Sequence, residues 1–248
     1  FSNFVLCMEI KTRAIVLRTT RLNDTKLIVD LLSREAGRIS VLCRISATGR
    51  GKIKKQLFQP LTILDVDIDQ KPNATLLRFH DIRLAHPYIS LTCIPLKVPV
   101  ALFLAEFLNF ATRDEQYNPL LYDYVEQSLL WLDTASDHYA NFHLVFMMRL
   151  TRFIGFYPNL EGAMSNAWFD LRSGTFTPSQ PLHPDCLQPE EASKISLMMR
   201  MNYDNMHVFH ISQEERNRCA DLILLYYRLH VPKFPELRSL EVVRDLFR

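Results

Sequence analysis

The sequence predicts an α+β, multidomain architecture in two parts: a small five-stranded all-β barrel, then a mainly α-helical domain. Three observations predict it. Between Lys11 and Arg83 the apolar residues fall in short, turn-bounded runs, several with period-two alternation. From His86-Pro87 onward the period changes to 3.6. Charge divides along with the pattern: Glu9 to Phe58 holds twelve Lys+Arg against four Asp+Glu, a local balance of +8 in a chain whose total is only +2. A basic all-β unit joined to an acidic remainder points to nucleic acid.

Lys11–Thr19 reads as the first strand, carried by Ala14, Val16 and the β-branched Ile15 and Thr19, with a turn at Arg21–Asp24. Lys26–Ser33 is a second strand, apolar enough at Leu27, Ile28, Val29, Leu31 and Leu32 for burial on both faces. Gly37 supplies a positive φ for the next reversal. Arg38–Arg44 follows, with Ile39, Val41 and Cys43 on one face and Arg38, Ser40, Leu42 and Arg44 on the other. After the polar loop Ser46–Lys55, a fourth strand over Leu61–Gln70 alternates Leu64, Val66 and Ile68 with Asp65, Asp67 and Asp69. Pro72-Asn73 turns the chain into a fifth strand, Thr75–Arg83. Five strands without an ordinary helix between them fit an OB-type barrel over residues 8–86, with an SH3-like barrel as the competitor.

Helices are expected over Pro95–Thr112, with Val98, Leu102, Ala105 and Leu108 as the buried stripe, and from Pro119, with Leu121, Tyr124, Val125, Leu129 and Leu132 inward. A third runs from Asp137 to Gly155, and residues 159–189 form an irregular insertion with a small hairpin at Trp168-Phe169 and Thr175–Thr177. Helices resume over Pro189–Asn202, over Gln213–Leu229 behind a Ser212/Glu215 capping box, and over Pro235–Phe247. The helical domain is therefore 87–248.

At 48% hydrophobic and 23% charged residues the composition is that of a globular protein, and no apolar run reaches the ~18–20 residues of a membrane helix. The five cysteines are scattered and odd in number, which speaks against a disulfide framework and for a reducing cytoplasm. Residues 1–7 read as an upstream extension or leader before Met8.

Several stretches together resemble a known family. Arg13-Ala14-Ile15-Val16-Leu17-Arg18, Asp24-Thr25-Lys26-Leu27-Ile28, Glu35-Ala36-Gly37-Arg38-Ile39-Ser40 and Leu57-Phe58-Gln59-Pro60-Leu61 resemble the N-terminus of the RecO family of DNA repair proteins. The run Phe146 to Leu160 is similar to that family's helix ending in Gly-Tyr-x-Pro-x-Leu, and Leu237-Arg238-Ser239 to its C-terminal helix start. The resemblance implies a non-enzymatic recombination mediator that binds single- and double-stranded DNA and anneals complementary strands. It also implies work with RecR and in some bacteria RecF, contact with the C-terminal tail of single-stranded-DNA-binding protein, help in loading RecA, and a cytoplasmic, nucleoid-associated location. Many members carry two Cys-x-x-Cys pairs that hold zinc. Here Gly162-Ala163-Met164-Ser165 replaces the first pair, and only His183 and Cys186 stand near the second, so no metal or other cofactor is expected. Trp168, Phe169, Leu171 and Phe176 are expected to bury and offset part of that loss.

The DNA-binding residues expected are Arg13, Arg18, Lys26, Arg38, Arg44, Arg50, Lys52, Lys54 and Lys55. Arg offers bidentate phosphate contacts and Lys a flexible point charge. Phe58 is the only aromatic in this segment, which suggests binding led by the backbone rather than by stacked bases. For the protein tail the candidates are His143, Phe146, Arg149 and Arg152, on a Met/Phe-rich helix able to adapt to an apolar peptide. Two other readings are open: a metal-dependent nuclease built on Asp65, Asp67 and Asp69, and an RNA-binding OB module.

Overall fold

Strand β1 (Met8–Asn23) is the longest of the fold because it has two partners. Its first half pairs antiparallel with β4 (Ile63–Gln70), and its second half with β2 (Lys26–Ser33), with register shifts after Val16 and after Arg21. The structure is a computed structural model and describes residues 8–45, 55–70 and 76–246. The expected Lys11–Thr19 strand is thus extended at both ends, since each end is covered by a different neighbour. β3 (Gly37–Arg44) continues from β2, and β5 (Leu77–His86) lies between β3 and β4, giving a closed barrel in the order β1-β2-β3-β5-β4. The β3–β5 contact is the single parallel pairing among the described residues, as an OB topology requires, and the SH3-like alternative falls away.

The barrel interior is filled by Ala14, Val16, Leu27, Val29, Leu31, Val41, Cys43, Phe58, Leu64, Val66, Ile68 and Leu77. The alternation of β2 is therefore stricter than its apolar run suggested: Leu27, Val29 and Leu31 point inward while Ile28 and Asp30 stay part-exposed. A 3-10 turn, Lys55–Phe58, leads into Gln59-Pro60-Leu61. Leu61 is fully buried at φ +65°, and its N–H donates to the carbonyl of Val16 at 2.7 Å, while the Val16 N–H donates to Thr62 O at 3.0 Å. These two bonds grip β1 at its first register shift, which rationalises a non-glycine residue in the left-handed region.

Two helices, α1 (Lys97–Ala111) and α2 (Pro119–Thr134), belong to the same compact unit as the barrel, which ends at Thr134; the second unit begins at Ala135. The α1 stripe is rotated from expectation. Val100, Phe103, Leu104, Phe107 and Leu108 are buried, whereas Leu102 is half exposed, because α1 is apolar nearly all round and periodicity alone does not select a face. Asp133, near the end of α2, is buried and accepts from the backbone N–H groups of Ile89, Ser90 and Leu91 at 2.7–2.9 Å. Lys97 Nζ, also buried, donates to Ser90 Oγ at 2.6 Å and Asp133 O at 3.1 Å. Burial alone would raise the Asp133 carboxyl, but the three backbone donors and Lys97 hold it below the usual carboxylate range. On the barrel side, Arg34 grips Asp123 with both Nε and Nη2, and the Arg38 N–H donates to Glu115 O at 3.0 Å. Gly37 lies beside that last bond at φ +64°, and a Cβ there would meet Gln116 O at 2.1 Å.

The second unit is built on α3 (Phe142–Leu150), α4 (Pro189–Arg200), α5 (Gln213–His230) and the short α6 (Leu240–Arg244). The capping box forms as expected, Ser212 Oγ accepting from Glu215 N and the Glu215 carboxylate from Ser212 N. α3 is shorter than the 137–155 expected: Thr151 Oγ1 bonds back to Met148 O at 2.6 Å and the chain leaves through turns ending at Gly155, φ +92°. The insertion holds β6 (Trp168–Asp170), β7 (Thr175–Thr177) and β8 (Cys186–Leu187), the last unforeseen because two residues carry no period. No helix among the described residues is long and apolar enough to cross a membrane.

Gly37→Ala should lower the unfolding free energy by about 2 kcal/mol or more, through left-handed strain and the backbone clash, read as a lower urea midpoint at constant m-value. A second expectation concerns His143, which is buried on α3; burial first, then repulsion from Arg216, pushes its imidazole from 6.5 down to about 3. The unfolded chain binds the extra proton between those values, so this contribution is full above pH 6.5 and is lost as pH falls toward 3. Between pH 7.5 and 5.5 the wild type should lose about 1.4 kcal/mol more than a His143→Leu variant, measured by urea unfolding at each pH.

Candidate nucleic-acid interface

On the outer surface of the barrel some cations are held by carboxylates and others are not. Arg13 on β1 faces Asp65 across the ladder; its Nε lies 3.2 Å from Asp65 Oδ1 and its Nη1 3.1 Å from Glu126 Oε1. The Asp65 bond leads in raising its pKa, against a smaller lowering by burial. Lys11 faces Asp67 at 3.6 Å in the same way. These pairs leave the nuclease reading without support: Asp65 and Asp67 are cross-strand partners of cations. Among the described residues no three His, Cys, Asp or Glu side chains converge as metal ligands.

Arg38 occupies a middle position. Its side chain is only 13% exposed; Nη2 donates to Asn109 Oδ1 of α1 at 2.7 Å and lies 3.6 Å from Asp30. Burial lowers its pKa, Asp30 opposes that, and the charges of Arg113 and Arg18 add to the lowering. Arg38 thus braces β3 against α1 while contributing to a local concentration of three arginines. Arg113, at the end of α1, lies over the Phe110 ring at 5.0 Å and was not foreseen.

The third group is a row. Lys26 on β2 stands directly opposite Arg44 on β3, and Leu42, two residues before Arg44, is paired with Arg78 on β5. Cys43, Leu27 and Leu77 point into the core, so Lys26, Arg44 and Arg78 all face outward from adjacent strands. None of them lies within 4 Å of a carboxylate among the described residues, although Asp69 is the β4 neighbour of Arg78 in the ladder. Like charges directly opposite on neighbouring strands destabilise a sheet. A row with that cost, and with no carboxylate in ion-pair reach among the described residues, is suited to an external anion. Exposed Arg18, beyond the β1 register shift, stands opposite Asp30 in the ladder and near Arg38, and exposed Lys55 stands in the 3-10 turn. Arg50, Lys52 and Lys54 lie outside the described residues. Arg78 and Arg113 were missed because they are brought to the site by barrel closure and by the seating of α1, neither of which leaves a local signal in sequence.

In the second unit, the residues expected to hold a peptide tail are not brought together at the surface. His143 and Phe146 are buried, and Arg149 donates from Nε and Nη2 to Met201 O at 3.2 and 3.0 Å. Arg152 alone of the four is exposed.

The residues of the insertion do not fit a zinc ion. His183 Nε2 lies 3.4 Å from Asp170, Cys186 Sγ approaches the His183 carbonyl at 3.5 Å, and Gly162–Ser165 is an exposed turn. Packing takes the metal's place. Phe169 meets Phe176 at 4.9 Å and Tyr226 at 6.0 Å, Tyr226 meets His230 at 4.4 Å, and Arg172 pairs with Asp185. Phe169, Leu171 and Phe176 are buried as expected, while Trp168 is only part-buried.

Comparison with known proteins identifies the family. Residues 8–88 match the family model described as recombination protein O N terminal, and residues 96–241 the model described as recombination protein O C terminal. The chain is 45% identical over 237 residues to the DNA repair protein RecO of Phocaeicola vulgatus, covering 96% of this chain and 98% of the relative. It is 36% identical over 244 residues to the protein of the same name from Porphyromonas gingivalis, covering 97% and 100%, and 29% identical over 241 residues to that of Flavobacterium psychrophilum, again covering 97% and 100%. With both models matched in order and the relatives aligned nearly end to end, the chain belongs to the recombination protein O family.

Proposed function

We propose that this protein is a DNA-binding and strand-annealing recombination mediator, acting in repair without a chemical step of its own. The observation that carries the reading is the outward row Lys26–Arg44–Arg78, none of which lies within 4 Å of a carboxylate among the described residues, with exposed Arg18 and Lys55 as further cations of the barrel. Such a surface holds phosphates by charge and makes no demand on sequence. Annealing follows from the same property: neutralising two backbones lowers their mutual repulsion and lets complementary bases find each other. Arg38 orders the row from behind, and Arg13 belongs to the scaffold. Membership of the family extends the proposal to its partners: RecR, in some bacteria RecF, the tail of single-stranded-DNA-binding protein, and RecA, whose loading it assists in a bacterial cytoplasm. For the tail carboxylate, exposed Arg152 is the proposed contact, with Arg149 held by the chain itself.

Replacing Lys26, Arg44 and Arg78 by Glu should weaken single-strand binding and flatten the slope of log K against log[salt] by about 2, at ~0.7 per phosphate lost. Arg13→Gln should leave both unchanged. A triple variant with the wild-type slope would overturn the assignment. Independently, Arg152→Glu should weaken binding of the tail peptide several-fold in a calorimetric titration, while Arg149→Gln mainly lowers stability.

A further inference from the structure

The parallel ladder between β3 and β5 is short. It joins Val41 to Leu77 and Leu42 to Arg78 and then stops, although both strands continue. Where they part, a cavity of about 190 Å³ opens, lined by Leu42, Cys43, Arg44, Arg78 and Phe79. The volume is below the ~300–1,000 Å³ of pockets that enclose a whole small-molecule ligand, and it suits a single planar ring. The chemistry of its walls is specific. Phe79 is part-exposed, and its ring is backed at 5.9 Å by that of buried Phe58, nearly parallel at 22°, so it is a fixed platform rather than a loose side chain. Arg44 and Arg78 flank it from opposite strands. Cys43 is buried at its floor, and desolvation pushes the thiol up to about 11, leaving it neutral. Among the described residues the β3–β5 ladder ends at Leu42 and Arg78, and the strand edges beyond them do not pair with each other.

From these features we infer that the cleft between β3 and β5 seats one unstacked nucleobase on Phe79, with Arg44 and Arg78 taking the phosphates to either side. The inference rests on the DNA-binding reading and sharpens it. A base can enter the cleft only when it is free of its pairing partner, so this seat selects single strands over duplex. Stacking on an aromatic face accepts any base, which keeps the binding blind to sequence. It also gives annealing a physical order: one base is held out at the cleft while its neighbours, carried on the cationic row, stay free to pair.

The test compares the full-length protein's affinity for a 15-nucleotide thymidine oligomer with that for a 15-unit abasic oligomer of the same backbone, each over a salt series. The wild type should prefer the base-bearing strand by at least about five-fold, the scale of one stacking contact. Phe79→Leu, which keeps apolar packing on Phe58, should bring the ratio close to one. Arg44→Ala with Arg78→Ala should weaken both oligomers alike and flatten both salt slopes by about 1.4. Equal wild-type affinity for the two oligomers with a normal salt slope would overturn the base seat and leave phosphate binding standing, as would an undiminished preference in Phe79→Leu. Failure of the wild type to bind either oligomer at low salt would overturn both readings.

Discussion

Closure of the barrel through β1 is the constraint on which the first unit depends. One strand must satisfy β4 with its first half and β2 with its second, and the switch falls at Val16, whose N–H and C=O are taken by Thr62 and Leu61. Closure divides every strand into an inner and an outer set of side chains. The inner set is apolar and fills the core; the outer set is where charge collects. Because β3 and β5 meet only through closure, Arg44 and Arg78, thirty-four positions apart in sequence, become neighbours on one face.

The division of labour among the barrel's cations follows from their cross-strand partners. β1 and β4 face each other as Arg13 with Asp65 and Lys11 with Asp67, a self-neutralising seam. β2 and β3 instead set Lys26 opposite Arg44, with Arg78 of β5 on the same outer face and Asp69 of β4 as its ladder neighbour. The seam makes a modest contribution to stability, as exposed pairs do; the row weakens the sheet and is available to an anion. Local composition alone, the +8 between Glu9 and Phe58, did not separate the two, since Arg13 and Arg44 look alike until their partners are known.

Much of the fold was legible. Lys26–Ser33 and the capped helix after Ser212 were read nearly to the residue, because a turn-bounded apolar run and a capping box are local signals. The inner face of α1 was misread because nearly every side of that helix is apolar, and α6 was overextended because Pro235–Ser239 turns before the helix forms. At the site, the sequence yielded the cations of β1 to β3 but neither Arg78 nor Phe79, whose importance arises from a non-local pairing. The apparent shortage of aromatics had the same origin: Phe58 is buried, and Phe79 lies beyond the segment where the charge is concentrated. In the second unit, His143 and Phe146 were assigned to a surface they do not reach, since a helix rich in Met and Phe reads equally well as groove or as core.

The insertion of the second unit is held by Phe169, Phe176, Tyr226 and His230 and by the Arg172–Asp185 pair. Rings and ion pairs draw on different physics: the stacked side chains exclude water, while the Arg172–Asp185 pair lies at the surface and weakens with salt. High salt should therefore loosen the rim of this lobe before its aromatic centre.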